Sequence, residues 1–204
     1  MDDQMWSQLG DAGVPEGIRA VSTWPLERLV KDYADKDTGS LFVSALLNTH
    51  TLEKKGAGLI FMGGVGTGKT VAATWLFCHL VENGLPGVWM REWHLIEAIL
   101  NKHETEEGEL VRDRMVEAPL LLLDGLKHPA KNRLSHLTWD LLADREVKRT
   151  VNLVTLQFNP KDVVDEHREV RVLKRLGVPV NMAGNPDFGD RREREMHGWL
   201  RNGN

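Results

Sequence analysis

Cysteine is almost absent from the sequence: Cys78 is the single thiol in 204 residues. A disulfide framework needs pairs of cysteines and a cysteine-rich zinc site needs several, so both are excluded, and a lone thiol is typical of a reducing cytosol. No apolar run approaches the roughly 18 residues that cross a bilayer. The first residues, MDDQMW, lack the basic and apolar regions of an export signal. The sequence therefore predicts a cytoplasmic protein without a membrane segment.

An excess of basic residues is also missing, since the formal net charge is −4. The acidic residues before Arg19 account for all of that charge, so the rest of the chain is neutral. Basic clusters occur at 127–133, 168–175 and 191–201. Each cluster is either a solvated helix face or part of a local nucleic-acid surface, and the sequence leaves both interpretations open.

Short apolar runs alternate along the chain with longer segments of helical periodicity. The predicted strands are Gly58–Met62, Gly87–Arg91, Pro119–Asp124, Val151–Thr155 and Val178–Met182. The predicted helices are Ser40–Lys55, Lys69–Asn83, Trp93–His103, Glu109–Glu117, Asn132–Lys148 and Val163–Leu176. Such alternation is typical of parallel strands joined by crossover helices. We therefore expect an α/β fold with a five-stranded parallel sheet flanked by helices.

A glycine-rich motif follows the first predicted strand and satisfies the pattern G-x-x-x-x-G-K-[ST] in full. Its residues are Gly63, Gly64, Val65, Gly66, Thr67, Gly68, Lys69 and Thr70, followed by Val71 at the start of a helix. The glycines let backbone N–H groups turn toward phosphate oxygens at the positive end of that helix. Lys69 is expected to reach the β- and γ-phosphates of ATP and Thr70 to bind Mg²⁺. A purely structural glycine-rich turn is the alternative.

A second candidate ligand for magnesium ends the third predicted strand. Asp124 follows four consecutive leucines, which is the pattern of a strand covered on both faces. An acid at the carboxyl end of such a strand faces the ligand crevice of an open α/β sheet. Asp124 is therefore the candidate Walker B carboxylate, with a plain turn at Asp124-Gly125 as the alternative.

These motifs, in their order and spacing, resemble the AAA+ helicase-loader family of the DnaC type and its relatives, the IstB transposition helpers. The resemblance runs from about Gly13 to Arg194 and includes the segments Gly13–Arg19 and Trp93–Leu100. It implies a P-loop AAA+ domain that binds ATP and Mg²⁺ and assembles into a homo-oligomer. It also implies a replicative DNA helicase and single-stranded DNA as partners, or duplex DNA and a transposase if the protein is IstB-like.

The resemblance assigns three further site residues. Gln157 lies where the family carries its sensor-1 residue, although a glutamine that simply faces solvent is the alternative. Arg175 matches the arginine finger, which reaches the nucleotide of a neighbouring subunit, with Arg171 as the second candidate. Arg192, or else Arg191, lies where relatives sense nucleotide within the same subunit.

Two departures from the family pattern make ATP hydrolysis uncertain. Gly125 stands where the family has a second acid that polarises the attacking water, and Gln157 stands where it has asparagine. Lys69 and Asp124, as catalytic candidates, are intact. The sequence therefore supports nucleotide binding better than turnover, and a hydrolysis-deficient regulator or inhibitor of helicase loading is an alternative. A small-molecule kinase would need a lid, for which only Arg145 and Arg149 are available.

The same resemblance divides the chain into residues 1–55, a short tail, linker and leading helix, and residues 56–204, the ATPase core. Residues 1–9 are expected to be a disordered tail or a small docking element with Met5, Trp6 and Leu9. So short an N-terminal region is expected of a family member that a phage or mobile element encodes. The basic side chains proposed to track single-stranded DNA are Lys127, Lys131 and Arg133.

Overall fold

Five short apolar segments form one parallel sheet, as the sequence predicts. The computed structural model describes residues 3–33, 36–101, 106–128, 134–158 and 168–182. The strands are β1 (Gly58–Met62), β2 (Gly87–Arg91), β3 (Leu120–Leu126), β4 (Val151–Leu156) and β5 (Gly177–Asn181). The helices are α1 (Asp3–Asp11), α2 (Glu16–Arg19), α3 (Leu26–Tyr33), α4 (Lys36–Leu47), α5 (Thr49–Lys55), α6 (Lys69–Glu82), α7 (Glu92–Asn101), α8 (Glu106–Glu117), α9 (Ser135–Lys148) and α10 (Arg168–Leu176), with a 3-10 turn at Ala20–Thr23. Within these ranges no helix is long and apolar enough to cross a membrane.

The strand order across the sheet is β2-β3-β4-β1-β5. Phe61 of β1 lies beside Thr155 of β4, and Arg91 of β2 lies beside Asp124 of β3. Because all the strand pairs are parallel, the ends of β1, β2, β3 and β4 meet at one edge of the sheet. That edge is where the motif after β1 and the acid on β3 come together.

Helices cover both faces of the sheet, and the strand residues alternate between two hydrophobic cores. In β3, Leu120 and Leu122 pack on one side with Trp75 and Phe77 of α6. Leu121 and Leu123 pack on the other side with side chains of α7, α8, α9 and α10. The uninterrupted leucine run follows from this burial, since neither face of the strand meets water.

The predicted single helix at Ser40–Lys55 is wrong, because α4 and α5 are separate helices divided at Asn48. Asn48 has φ −118° and ψ 30°, outside the helical region, and its side-chain amide donates to the Ser44 carbonyl at 2.8 Å. Its own carbonyl accepts from the backbone N–H groups of Thr51 and Leu52 and so starts α5. Asparagine interrupts helices in this way because its side chain competes for backbone hydrogen bonds.

The N-terminal segment also differs from the expectation of a disordered tail, because residues 3–9 lie in α1. Leu9 is fully buried in the core that contains α6. The Arg19 guanidinium lies 5.5 Å from the centre of the Trp6 ring and donates to the Val14 carbonyl at 2.8 Å. The first helix is therefore anchored to the rest of the fold by apolar burial and by contacts of one arginine.

Candidate nucleotide-binding site

A cleft of about 1110 Å³ opens at the carboxyl edge of the sheet. One wall is the glycine-rich loop with Lys69 and Thr70, and the other is formed by Asp124 and Gly125 from β3 and by Thr155 and Gln157 at the end of β4. Its volume lies just above the usual range for small-molecule sites, roughly 300–1,000 Å³. Two segments 54 positions apart in sequence, at Thr70 and Asp124, thus line one cavity.

The loop adopts a conformation that requires glycine. Gly63, Gly66 and Gly68 have φ values of 141°, 80° and 82°, which L side chains rarely adopt. A Cβ on Gly63 would lie 2.2 Å from the Met182 carbonyl oxygen, so no side chain fits there. No described side chain caps α6 at Gly68. The first backbone N–H groups of α6 are therefore suited to an anion such as phosphate.

Lys69 spans the loop from inside. Its ammonium donates to the Gly63 carbonyl at 2.9 Å and to the Gly64 carbonyl at 2.5 Å. Burial lowers the pKa of Lys69, and the charge of Asp124 opposes that shift. The loop is further closed by Thr67, whose hydroxyl donates to the Gly64 carbonyl at 3.0 Å. These contacts hold a positive charge at the point where the loop would enclose phosphate oxygens.

The carboxylate of Asp124 is bound on the cleft wall by three side chains. Its Oδ1 accepts hydrogen bonds from the hydroxyls of Thr70 and Thr155, each at 2.7 Å. Its Oδ2 lies 3.9 Å from Nε of Arg91. A hydroxyl and a carboxylate within hydrogen-bond distance are hard oxygen donors, which fit Mg²⁺. The structure thus brings together the two residues predicted to hold the metal, and the roles stay predictions.

Gly125 and Gln157 occupy a common space beside Asp124. Gly125 has φ 83°, and the β3–β4 register shifts between Leu123 and Leu126. A Cβ on Gly125 would lie 2.9 Å from the side-chain nitrogen of Gln157. The backbone N–H of Gly125 donates to the Thr155 hydroxyl at 2.8 Å. The two departures from the loader pattern are therefore one structural feature, since the glycine leaves room for the longer amide.

The arginine-finger candidate lies elsewhere. Arg175 is on α10 with 60% of its side chain exposed, and its Nε lies 3.4 Å from a carboxylate oxygen of Glu146 on α9. It is not among the described residues that line the cleft. Arg171, the second candidate, is exposed on the same helix. The structure therefore brings neither arginine into the cleft.

The other residues predicted for the nucleotide and DNA sites differ in their exposure and in whether the structure describes them. Val65 is fully exposed at the tip of the loop, whereas Val71 packs against the core beneath α6. Lys127 is exposed beside the cleft. The remaining candidates lie outside the described residues, namely Arg191, Arg192, Lys131 and Arg133.

Arg145, which a kinase interpretation would have used as a lid residue, is completely buried. Its guanidinium donates to the carbonyls of Ala118 and Val151, each at 2.9 Å, and to the side-chain oxygen of Asn152 at 2.6 Å. It also donates to the Met115 carbonyl. These acceptors lie at the end of α8, just before β3 and at the start of β4, which is the opposite end of the strands from the cleft. Arg145 is a structural residue of the sheet.

Sequence reasoning missed two polar residues at the site. Thr155 is predicted only as the last residue of a strand, at the start of the segment that carries Gln157, yet it binds Asp124 directly. Glu92, the first residue of α7, is 2% exposed, and its Oε2 accepts from the Lys127 backbone N–H at 3.0 Å. The available signal was an acid directly after an apolar strand, the same pattern that identified Asp124.

The five-stranded parallel sheet, its flanking helices and the glycine-rich loop have the fold of P-loop AAA+ domains, which confirms the predicted fold class. No family model matches the sequence, and no curated protein matches it. Solved structures do match. The DnaC helicase loader superposes with a TM-score of 0.69 at 15% identity, over 82% of this chain and 99% of that chain.

A DnaI structure matches with a TM-score of 0.60 at 17% identity, over 81% of this chain and 91% of that one. AMPPCP-bound DnaA from Aquifex aeolicus matches with a TM-score of 0.56 at 17% identity, over 71% of this chain and 45% of that chain. The chain thus spans less than half of that DnaA protein. At these identities the similarity concerns the fold, and the predicted resemblance to DnaC-type loaders is confirmed at that level.

Proposed function

We propose that this chain is an ATP-binding AAA+ protein that self-assembles and loads or regulates a replicative DNA helicase on single-stranded DNA. One observation carries the proposal: Lys69 and the bonded pair Thr70 and Asp124 line a single cleft in a fold shared with the DnaC helicase loader. The DnaA neighbour was solved with AMPPCP, a triphosphate analogue, which supports nucleotide as the ligand of this fold.

The residues divide the work of holding ATP and Mg²⁺. The backbone N–H groups of the loop and of the first turn of α6 would bind phosphate oxygens, and Lys69 would exchange its loop carbonyls for the β- and γ-phosphates. Thr70 and Asp124 would hold Mg²⁺, which neutralises charge on the phosphates when bound. Gln157 lines the same cleft, which supports a role for its amide in contacting the γ-phosphate.

Self-assembly is proposed from the position of Arg175. Its ion pair with Glu146 is 3.4 Å long and partly exposed, and exposed pairs contribute about 1 kcal/mol or less. A triphosphate bound to a neighbouring subunit would compete readily for this guanidinium. Light scattering should therefore detect ATP-dependent oligomers of the wild type, and Arg175→Ala should remain smaller under the same conditions.

DNA binding is proposed for the surface beside the cleft. Lys127 is exposed there, and Trp93, with a relative exposure of 51%, lies on the adjacent helix α7. A cation and an exposed aromatic ring are the usual means of binding a single strand, through its phosphates and its bases. Binding should weaken steeply as salt is raised.

The proposal is tested first by nucleotide binding. Titration with ATP and Mg²⁺ should show saturable binding to the wild type and a loss of at least tenfold in affinity for Lys69→Ala. Lys54→Ala is the matched control, since Lys54 is an exposed lysine at the end of α5. A Lys69→Ala variant that binds as tightly as the control would contradict the proposed site.

The second part of the test is loading itself. A replicative helicase from the same source is mixed with circular single-stranded DNA carrying an annealed oligonucleotide, and its displacement is measured with and without this chain. We expect ATP-dependent stimulation by the wild type and none by Lys69→Ala. Nucleotide binding without any effect on the helicase, positive or negative, would reject the loader function while leaving the ATP site intact.

One observation favours a second candidate function. Gly125 replaces the acid that relatives use to polarise water, so nucleotide could act as a structural ligand in a regulator or inhibitor of helicase loading. Steady-state ATP turnover with and without single-stranded DNA separates the two candidates. Turnover that depends on Lys69 favours the loader, whereas binding without turnover favours the regulator.

A further inference from the structure

An acid, Glu92, directly follows β2, the neighbour of the strand in which Gly125 stands where the loader family has an acid. Arg91, the last residue of β2, is in register with Asp124 on β3. Glu92 is the residue after Arg91, and Gly125 is the residue after Asp124. A carboxylate-bearing residue therefore follows β2 where the neighbouring strand β3 has glycine. Parallel strands that end at one edge bring such residues to the same side of the ligand crevice.

Glu92 also shares a cavity with the proposed metal ligands. A cleft of about 270 Å³ is lined by Glu92 and Trp93 together with Thr70, Asp124, Gly125 and Gln157. The last four of these also line the nucleotide cleft, so the two cavities are contiguous. A space of this size can hold water molecules beside Glu92 and the proposed metal ligands.

The Glu92 side chain is held in place. It is 2% exposed, and its Oε2 accepts from the Lys127 backbone N–H at 3.0 Å. Lys127 follows β3 directly, so this bond ties the start of α7 to the segment that carries Asp124 and Gly125. A carboxylate fixed in this way is oriented before substrate arrives, which is what a catalytic base requires.

We propose that Glu92 is the catalytic carboxylate of ATP hydrolysis in this chain and replaces the acid missing at Gly125. Glu92 accepts a proton from the attacking water while the water oxygen bonds to the γ-phosphorus and the bond to the β–γ bridging oxygen breaks. The products are ADP and inorganic phosphate, and Glu92 then releases the proton to solvent. This inference rests on the proposed ATP site.

The competing explanation is that Glu92 only ties α7 to the segment after β3. Glu92→Gln separates the two roles, because the amide oxygen still accepts from Lys127 but the side chain no longer takes up a proton. Glu97→Gln is the matched control, since Glu97 is an exposed glutamate on the same helix. Three readouts are compared: ATP turnover with single-stranded DNA, the thermal midpoint, and affinity for nucleotide analogues.

For Glu92→Gln we expect turnover to fall by about a hundredfold or more, the usual contribution of a general base. Affinity for AMPPCP should stay within about twofold, and the thermal midpoint should change little, because the amide oxygen keeps the hydrogen bond from the Lys127 N–H. Affinity for ADP with aluminium fluoride, which mimics the transition state, should fall by about tenfold or more. Glu97→Gln should match the wild type in every readout.

Turnover by Glu92→Gln within threefold of the wild type would overturn the proposal. So would loss of AMPPCP binding together with a lowered thermal midpoint, which is the result expected of a purely structural residue. A wild-type protein that binds AMPPCP but shows no turnover would also overturn it, leaving the proposed ATP site standing. Failure of the wild type to bind AMPPCP would instead reject the proposed function on which the inference rests.

Discussion

Replacing Thr155 with valine should destabilise the protein and weaken its nucleotide site together. The Thr155 hydroxyl donates to Asp124 at 2.7 Å and accepts from the Gly125 N–H at 2.8 Å. Thr155 is 2% exposed and Asp124 is 8% exposed, so water does not readily replace these bonds. Valine has nearly the same shape as threonine, and the change therefore removes the two hydrogen bonds while keeping the packing.

The expected loss of stability follows from the two hydrogen bonds that the substitution removes and the methyl group that it adds. A hydrogen bond to a charged group contributes about 1.5–3 kcal/mol, and a buried N–H left without a partner costs about 1–3 kcal/mol. The added methyl group returns about 0.8 kcal/mol through apolar burial. The free energy of unfolding should thus fall by roughly 2–4 kcal/mol, since such terms are not fully additive.

The assay is urea unfolding followed by tryptophan fluorescence, with Thr138→Val as the matched control. Thr138 is also fully buried, but its hydroxyl makes no hydrogen bond with any residue that the structure describes. The same substitution there should be neutral or stabilise by up to about 1 kcal/mol. Affinity for ATP with Mg²⁺ should drop by about tenfold for Thr155→Val only, because Asp124 loses a donor that aims it.

Equal unfolding free energies for the two variants, within about 0.5 kcal/mol, would refute this reasoning. That result would mean that the Thr155 hydroxyl does not stabilise the adjoining ends of β3 and β4. A destabilised Thr155→Val that binds ATP and Mg²⁺ like the wild type would refute the second half, since the aim of Asp124 would then not depend on Thr155.

Three further predictions concern other parts of the structure. Arg145→Lys should lower the unfolding free energy by roughly 2–4 kcal/mol in urea, because lysine cannot replace the guanidinium fork at several buried carbonyls; a loss below about 1 kcal/mol would argue against that bonding. Burial raises the pKa of Cys78 to about 12 from 9.0, so alkylation at pH 8 should be about a thousandfold slower in the native than in the unfolded protein, and equal rates would contradict the burial. Gly125→Ala should destabilise by about 1–2 kcal/mol because φ is 83°, and an unchanged urea midpoint would show that Gln157 and the backbone adapt freely.

The strands could be predicted from the sequence because each is recognised from the residues within it and directly next to it. Gly58–Met62 and Gly87–Arg91 have the predicted bounds, since each is an apolar run that begins at a glycine and ends before a change of pattern. Leu120–Leu126 runs beyond its predicted end because Leu126 pairs again with Leu156 after the irregularity at Gly125. A single sequence does not show such pairing, because the partner strand is about 30 residues away.

The same distinction holds for the site. Lys69, Thr70 and Asp124 follow from motif spacing and from the end of a leucine run, which need no knowledge of strand order. Thr155 and Glu92 belong to the site because β4 and β2 are the two neighbours of β3. Strand order is a property of the tertiary fold, so polar residues that depend on it were not singled out by sequence patterns.

The buried guanidinium of Arg145 has a consequence at the opposite end of the sheet. It bonds the carbonyls of Ala118 and Val151, and Leu120 is in register with Val151. Asp124 and Thr155 lie equally far along their strands from the paired residues Leu120 and Val151, so their side chains meet at the other end of β3 and β4. The Arg145 hydrogen bonds thus fix β3 and β4 relative to each other at the ends where the two strands begin. A substitution of Arg145 should therefore change the distance between Asp124 and Thr155 at the far ends of β3 and β4.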